Sequence, residues 1–156
     1  MTANKQKAKV IIKVKNTEYQ ELISVWESSV KATHDFLKVE DFNFYKELIP
    51  GFFENVTLHC LKNEKSKIVG FIGTNDGALE MLFVTANEIG KGIGKKLLLY
   101  AIERLNVTKV DVNKDNLQAV EFYNQFGFKI KSISDLDGFG KPYPILHMEL
   151  ANSQND

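Results

Sequence analysis

The 156-residue chain predicts an α+β domain, a mixed and mostly antiparallel sheet of about seven strands with about four helices on its faces. Three observations carry this expectation. First, the apolar runs Val56 to Leu61, Ile68 to Thr74 and Ala78 to Val84 have strand length and succeed one another through polar turns. The last of those turns, Asn75-Asp76-Gly77, suits a tight hairpin because Asp-Gly accepts positive φ. Second, Leu22, Val25, Trp26 and Val30 recur at helical spacing, as an amphipathic helix laid on a sheet requires. Third, the run ending at Val84 passes through Ile89-Gly90-Lys91-Gly92-Ile93-Gly94 into a helix over Lys95 to Leu105, so a glycine loop joins a strand to a helix.

In order, Val10 to Val14 reads as the first strand, and Thr17 with Gln20 three residues later forms a capping box that opens a helix ending near Thr33. A second helix spans Val39 to Leu48 and is stopped by Pro50-Gly51. The three-strand meander follows. After the glycine loop and its helix, Val107 to Val112 is a strand, and Asn116 opens the last helix. Lys129 to Ser134 is a strand, Asp135 to Pro142 a glycine-rich loop, and Tyr143 to Leu150 the final strand. Residues 1–8 and 151–156 are polar and are expected to be loose tails on a single domain spanning 1–156.

Twenty basic and twenty acidic residues balance to a formal charge of zero, so no long-range field draws the protein to nucleic acid or to an acidic membrane. The single cysteine, Cys60, forms no internal disulfide and no cysteine metal cluster, which suits a reducing compartment; the cytoplasm is the expectation. The lysine-rich start is followed by too short an apolar run for a signal peptide or a membrane span. Arg104 is the only arginine, so a phosphorylated ligand must be held by lysines and backbone.

The glycine loop is an anion-binding arrangement. Without Cβ atoms its backbone approaches a ligand closely, and the free N–H groups of the following helix point at it. Two familiar nucleotide motifs fail on spacing. A Walker loop needs glycine where Ile89 stands and a hydroxyl where Lys96 stands, and a dinucleotide fingerprint needs its third glycine at Lys95.

Downstream lies Asn116-Leu117-Gln118-Ala119-Val120-Glu121-Phe122-Tyr123-Asn124-Gln125-Phe126-Gly127-Phe128. A Gly-x-Gly-x-Gly loop after a strand, followed one helix and one strand later by Asn-x-x-Ala-x-x-Phe-Tyr-x-x-x-Gly-Phe, resembles the acetyl-CoA-binding half of the GNAT N-acetyltransferases. Ala32 to Leu37 and Gly140 to Pro144 resemble segments of bacterial GNATs of the YjaB type, so the likeness covers most of the chain. The sequence departs from the family at Ile89, where Arg or Gln is usual.

The resemblance implies the GNAT fold and transfer of acetyl from acetyl-CoA to a primary amine of a small molecule or protein, by direct attack within a ternary complex and without a metal. It implies that N–H groups from Ile89 to Lys95 (Ile89, Gly90, Lys91, Gly92, Ile93, Gly94, Lys95) hold the pyrophosphate. It further implies that Leu82, Phe83 and Val84 pair with the pantetheine and polarise the thioester carbonyl, with a bulge among them. Asn116 and Ala119 would lie along the pantetheine, and Tyr123 beside the sulfur as general acid. A monomer or homodimer is expected, with no nucleic acid or membrane partner.

The residues themselves leave alternatives open. Asn116 is equally a good N-cap and Tyr123 a good core residue, although Asn116, Ala119 and Tyr123 share one helical stripe. The acceptor ammonium must lose a proton before it attacks, and Glu80 leads as the base, with His34 second. Thr33 to Leu37 and Phe139 to Pro144 are expected to flank the acceptor cleft. The alternative function is a non-catalytic acyl-CoA-binding sensor.

Overall fold

The computed structural model describes residues 10–151. Seven strands form one sheet in the order β1-β2-β3-β4-β5-β7-β6: β1 Ile11–Lys13, β2 Thr57–Lys62, β3 Ile68–Asn75, β4 Ala78–Val84, β5 Lys109–Asn113, β6 Phe128–Ser134 and β7 Ile145–Leu150. Every neighbouring pair is antiparallel except β4 and β5. Asp76 and Gly77 both have positive φ, as the hairpin between β3 and β4 requires.

Helices α1 (Tyr19–Thr33) and α2 (Val39–Phe53) cover one face, where Leu22, Trp26 and Phe53 pack with Phe71 and Met81. Helices α3 (Ile93–Arg104) and α4 (Leu117–Gln125) cover the other, where Leu97, Leu98 and Ala101 pack with Ile72, Leu79 and Val110. Strand β3 lies between the two cores and is buried along all but its last residue, which explains its run without a polar side chain from Ile68 to Gly73.

Two expected helix signals are replaced. The capping box is not Thr17 with Gln20: a 3₁₀ turn over Asn16–Glu18 precedes α1, and Glu18 Oε1 accepts the Lys15 N–H at 2.8 Å. Helix α2 does not stop at Leu48 but runs through Pro50 to Phe53. Proline removes one helical hydrogen bond, but continuing the helix buries Phe53 against Tyr19 and Phe71, with ring centroids 5.0 and 6.1 Å apart. The gain from that aromatic burial outweighs one lost bond. Helix α3 begins at Ile93 rather than Lys95, and the strand ends differ from expectation by one or two residues. Ala151, expected in a tail, donates its N–H to the Gly127 carbonyl at 2.7 Å; the remaining tail residues lie outside those described.

At Gly70 the sheet and α3 pack closely. A Cβ there would stand 2.9 Å from Ile93 Cγ2, 3.0 Å from Leu97 Cδ1 and 3.3 Å from the Phe83 carbonyl. Gly70→Ala is therefore expected to destabilise the fold by about 1–3 kcal/mol, the usual range for overpacking, read as a lower urea midpoint at unchanged slope. An unchanged midpoint would show that α3 can shift away freely.

Candidate active site

The parallel pairing of β4 with β5 is confined to Ala78 opposite Lys109 and Leu79 opposite Val110, after which the strands diverge. Beyond that point β4 presents an open edge. The Thr85 N–H bonds to the Val69 carbonyl at 2.9 Å, and N–H directions alternate along an antiparallel ladder. The Phe83 N–H consequently faces β3, whereas those of Leu82 and Val84 face the gap. The bulge expected among Leu82 to Val84 lies instead at Glu80. Met81 pairs with Gly73 and Leu79 with Thr74, leaving Glu80 as the extra residue.

The glycine loop meets the gap from the side. Gly90 and Gly92 both have φ of +88°, a conformation that favours glycine. Lys96 donates to the Gly92 carbonyl at 3.1 Å, the first backbone donor of α3 to find a partner. The N–H groups of Ile93, Gly94 and Lys95 have none among the described residues, and they sit at the positive end of the helix dipole. The anion-holding set is narrower than Ile89 to Lys95: the Ile89 and Lys91 N–H groups are already bonded, to the Ala86 and Glu88 carbonyls. The Ile93 side chain is 2% exposed and belongs to the core, and Lys91 lies 4.0 Å from Glu88 at the surface.

A cavity of about 350 Å³ fills the space between loop, gap and α4. Its walls include Leu82, Phe83 and Val84 from β4, and Ile89, Gly90, Gly92, Gly94 and Lys95 from the loop and α3. Asn116, Ala119 and Tyr123 from α4 complete it, so eleven of the thirteen expected cofactor residues line one space, Lys91 and Ile93 being the exceptions. Asn116 is also an N-cap, its Oδ1 accepting the Ala119 N–H at 3.3 Å. Capping occupies the oxygen and leaves the amide NH₂ as a donor for a ligand. Tyr123 is 6% exposed, packs edge-on against Phe122 and Phe128, and its hydroxyl makes no hydrogen bond among the described residues. Burial pushes its phenol above the ordinary tyrosine value, so the hydroxyl keeps its proton at neutral pH.

A second cavity, about 260 Å³, lies on the α1 and α2 side. Trp26, Tyr45, Phe52 and Phe139 give it aromatic walls, and His34, Leu37 and Tyr143 bring the two expected acceptor segments onto it. Phe83 and His34 line both cavities, which therefore adjoin at β4. The loop between β6 and β7 is tied over this space. Asp137 accepts a hydrogen bond from Tyr45 and the N–H groups of Phe139 and Lys141, Lys141 Nζ lies 2.9 Å from Asp41, and Tyr143 donates to Asp41.

The two base candidates have different electrostatics. Glu80 faces the second cavity and has no hydrogen-bond or ion-pair partner among the described residues. Partial burial, then the nearby Asp111 carboxylate, raise its proton affinity above the ordinary value. Burial pushes the His34 imidazole down to about 4, with Asp35 opposing weakly, and its Nδ1 lies 2.8 Å from Thr33 Oγ1. His34 is neutral at neutral pH but a poor proton acceptor.

The depressed His34 value also bears on stability. Between about pH 6.5 and 4 the unfolded chain binds this proton and the folded chain does not, so stability is present above 6.5 and is lost as pH falls through that window. His34→Gln is expected to flatten that part of the curve, measured as urea midpoints across the range. An unaltered slope would assign the loss to another group.

Several features were not legible in the sequence. Trp26 and Tyr45 sit on helical faces that read as core, and Phe52 lies beyond the helix end expected at Leu48. His147 is bonded to both Asp111 and Ser134. Buried His59 lies against Tyr100 with its Nδ1 unpaired among the described residues, and Cys60 is fully buried, its thiol pushed up to about 11, which makes it inert. Among the described residues no cluster of His, Cys, Asp and Glu could hold a metal, and no helix is long and apolar enough to cross a membrane.

Comparison with known proteins points the same way. The acetyltransferase (GNAT) domain profile matches residues 15–143. The chain is 35% identical over 134 residues, 86% of its length and 91% of the relative's, to the peptidyl-lysine N-acetyltransferase YjaB of Escherichia coli (strain K12). The solution structure of apo-form YjaB from Escherichia coli superposes with a TM-score of 0.85 at 33% identity, covering 93% of this chain and 99% of that one. The PaiA N-acetyltransferase of Thermoplasma acidophilum, solved in complex with coenzyme A, shares the fold with a TM-score of 0.67 at 22% identity, over 91% and 99% of the two chains. A strand gap beside a glycine loop and free helix N–H groups, together with these likenesses, shows that the chain belongs to the GNAT family and is an acetyl-CoA-dependent N-acetyltransferase.

Proposed function

We propose that the acceptor is the side-chain amine of a lysine in a protein or peptide, and that Glu80 and Tyr123 move the protons of the reaction. The observation that carries this reading is the meeting of the two cavities at β4, with an unpartnered carboxylate on the acceptor side and a protonated phenol on the other. The 35% identity to an enzyme named for peptidyl-lysine supports the choice of acceptor.

Acetyl-CoA supplies an activated acetyl thioester. The residues present fit it: three free N–H groups and Lys95 suit a pyrophosphate, and the outward N–H groups of Leu82 and Val84 suit an extended amide chain added to the β4 edge. One of these β4 donors stabilises the charge that develops on the thioester oxygen. The Asn116 amide and the small Ala119 side chain orient the arm along α4. The aromatic walls of the second cavity hold the aliphatic stem of the acceptor and exclude water, and neutral His34 closes the junction. Glu80 takes the proton from the acceptor ammonium, directly or through one water. Tyr123 gives its hydroxyl proton to the departing thiolate.

The acceptor assignment is tested by assaying CoA thiol release with single-lysine peptides beside small amines and polyamines. Peptides should turn over with the higher kcat/KM, and a consistent preference for a small amine would overturn it. No thiol release with any amine would instead favour the non-catalytic sensor.

The cofactor side has its own test. Coenzyme A at a hundredfold excess over its Kd is expected to stabilise the protein by about 2.7 kcal/mol. Gly92→Val strains a positive φ, and Gly94→Val places a branched side chain between Val84 and Phe122, so each should abolish most of the ligand-induced shift in Tm. A shift of full size in both variants would place the pyrophosphate elsewhere.

A further inference from the structure

His34 borders three cavities: the two described above and a third, of about 400 Å³, between the end of α1 and the start of α2. With Phe83 it is common to the cofactor and acceptor cavities, so a nucleophile approaching the thioester from the second cavity passes beside its ring. The residue directly follows α1 and its backbone is pinned on both sides. Its N–H donates to the Val30 carbonyl at 2.8 Å, and its carbonyl accepts the Leu37 N–H at 3.0 Å. The ring leans on Phe36, with centroids 5.2 Å apart, and Phe36 on Tyr143 at 6.1 Å.

Thr33 fixes which ring nitrogen carries the proton. Its Oγ1 lies 2.8 Å from the Ser29 carbonyl, one turn back in α1, and 2.8 Å from His34 Nδ1. A carbonyl only accepts, so the single hydroxyl proton of Thr33 points at Ser29. Towards His34 the hydroxyl then offers only a lone pair, and Nδ1–H must be the donor. Burial keeps the imidazole neutral at neutral pH, which leaves Nε2 a bare lone pair. Nε2 has no hydrogen-bond partner among the described residues, and unlike the unpaired Nδ1 of His59 it is not sealed inside the protein.

This polarity decides what His34 can bind. An Nε2–H would suit the thioester oxygen, but a lone pair calls for an N–H or O–H donor, and the thioester group has none. The pantetheine amides do carry N–H groups. The open edge of β4 meets those, because the carbonyls of Leu82 and Val84 point to the same side as their N–H groups. The acceptor nitrogen is the donor that remains: an ammonium that has given up one proton still carries two. A hydroxyl or thiol that has lost its proton keeps none for Nε2, so a contact at this atom selects amines.

We propose that His34 Nε2 accepts a hydrogen bond from one N–H of the neutral acceptor amine and so aims the nitrogen lone pair at the thioester carbon, and that Thr33 is the positioning residue that fixes the tautomer. The proposal rests on the reading of the second cavity as the acceptor side, and not on which group takes the first proton. No proton passes to His34. Its task is orientation, for which a weakly basic imidazole held by Thr33, Phe36 and its own backbone is suited.

The tautomer is read by proton–nitrogen NMR of the full-length protein at neutral pH, with His34→Phe assigning the ring among the three histidines. The Nδ1–H form should dominate in the wild type. Thr33→Val should remove that preference, and Thr33→Ser, which keeps the hydroxyl, should rescue it. At saturating acetyl-CoA, kcat/KM for the best amine should fall roughly three- to tenfold in His34→Phe and in Thr33→Val, the worth of one neutral hydrogen bond, with KM for acetyl-CoA unchanged. Thr33→Ser should rescue the rate together with the tautomer, which a merely structural threonine would not do. An Nε2–H form in the wild type overturns the proposal even if a variant fails to fold, and leaves the acceptor cavity as assigned. Unaltered amine kinetics in His34→Phe overturns it too. A loss that falls on acetyl-CoA instead of the amine overturns the reading of the second cavity, and the proposal with it.

Discussion

Tyr123→Phe is expected to lower turnover by about 10² to 10⁴, the usual worth of general acid catalysis, while acetyl-CoA affinity changes little. The substitution isolates one atom. Ring contacts to Phe122 and Phe128, with centroids 5.2 and 5.8 Å away, survive in the variant, so packing is preserved and only the hydroxyl is lost. That hydroxyl has no partner to leave unpaired among the described residues, and stability should scarcely move. Burial keeps the phenol protonated throughout the working pH range, as a donor to a thiolate must be. Single-turnover kinetics at saturating acetyl-CoA would read the chemical step. A Phe variant at close to the wild-type rate, with chemistry rate-limiting, would leave solvent as the proton donor and Tyr123 as a core residue.

Glu80→Gln is expected to cost a similar factor, about 10² to 10⁴, and to remove the acidic limb of the kcat/KM profile. The sign follows from the direction of the shift. Partial burial and Asp111 raise the proton affinity of Glu80, so the carboxylate needed as a base forms above the ordinary carboxylate range, and the rate climbs as pH rises through that value. The Gln variant keeps shape and hydrogen-bonding capacity but cannot take a proton. Its residual rate should rise with pH in step with the free-amine fraction of the acceptor. Retention of the wild-type limb in Glu80→Gln would move the base to another group, and His34, whose imidazole is pushed to about 4, would have to be tested next.

Much of the site was legible because it is local. A glycine loop between a strand and a helix, and Asn116, Ala119 and Tyr123 on one stripe, are short-range patterns whose geometry the backbone periods impose. Eleven of the thirteen residues that the family resemblance implied for the cofactor line one cavity. The misses occur where distant packing decides. Pro50-Gly51 is a strong stop signal, but Phe53 finds Tyr19 and Phe71 on the sheet and keeps α2 helical. Ile89 and Lys91 belong to the loop, but a 3₁₀ turn over Ala86–Glu88 takes up their N–H groups.

From the sequence alone came the order of the elements, the glycine-bearing bend at Gly92, the α+β class and the stripe that faces the first cavity, since each is set by residue periodicity or by conformations that only certain residues adopt easily. The tertiary structure decided the divergence of β4 from β5, the bulge at Glu80 beside the second cavity, the aromatic walls of that cavity and the hydrogen bonds of His147 to Asp111 and Ser134. These depend on strand register and on which faces meet. A one-residue change of register would exchange the two faces of a strand without altering its pattern, so the place of Glu80 on the second cavity arises from pairings between residues far apart in the chain.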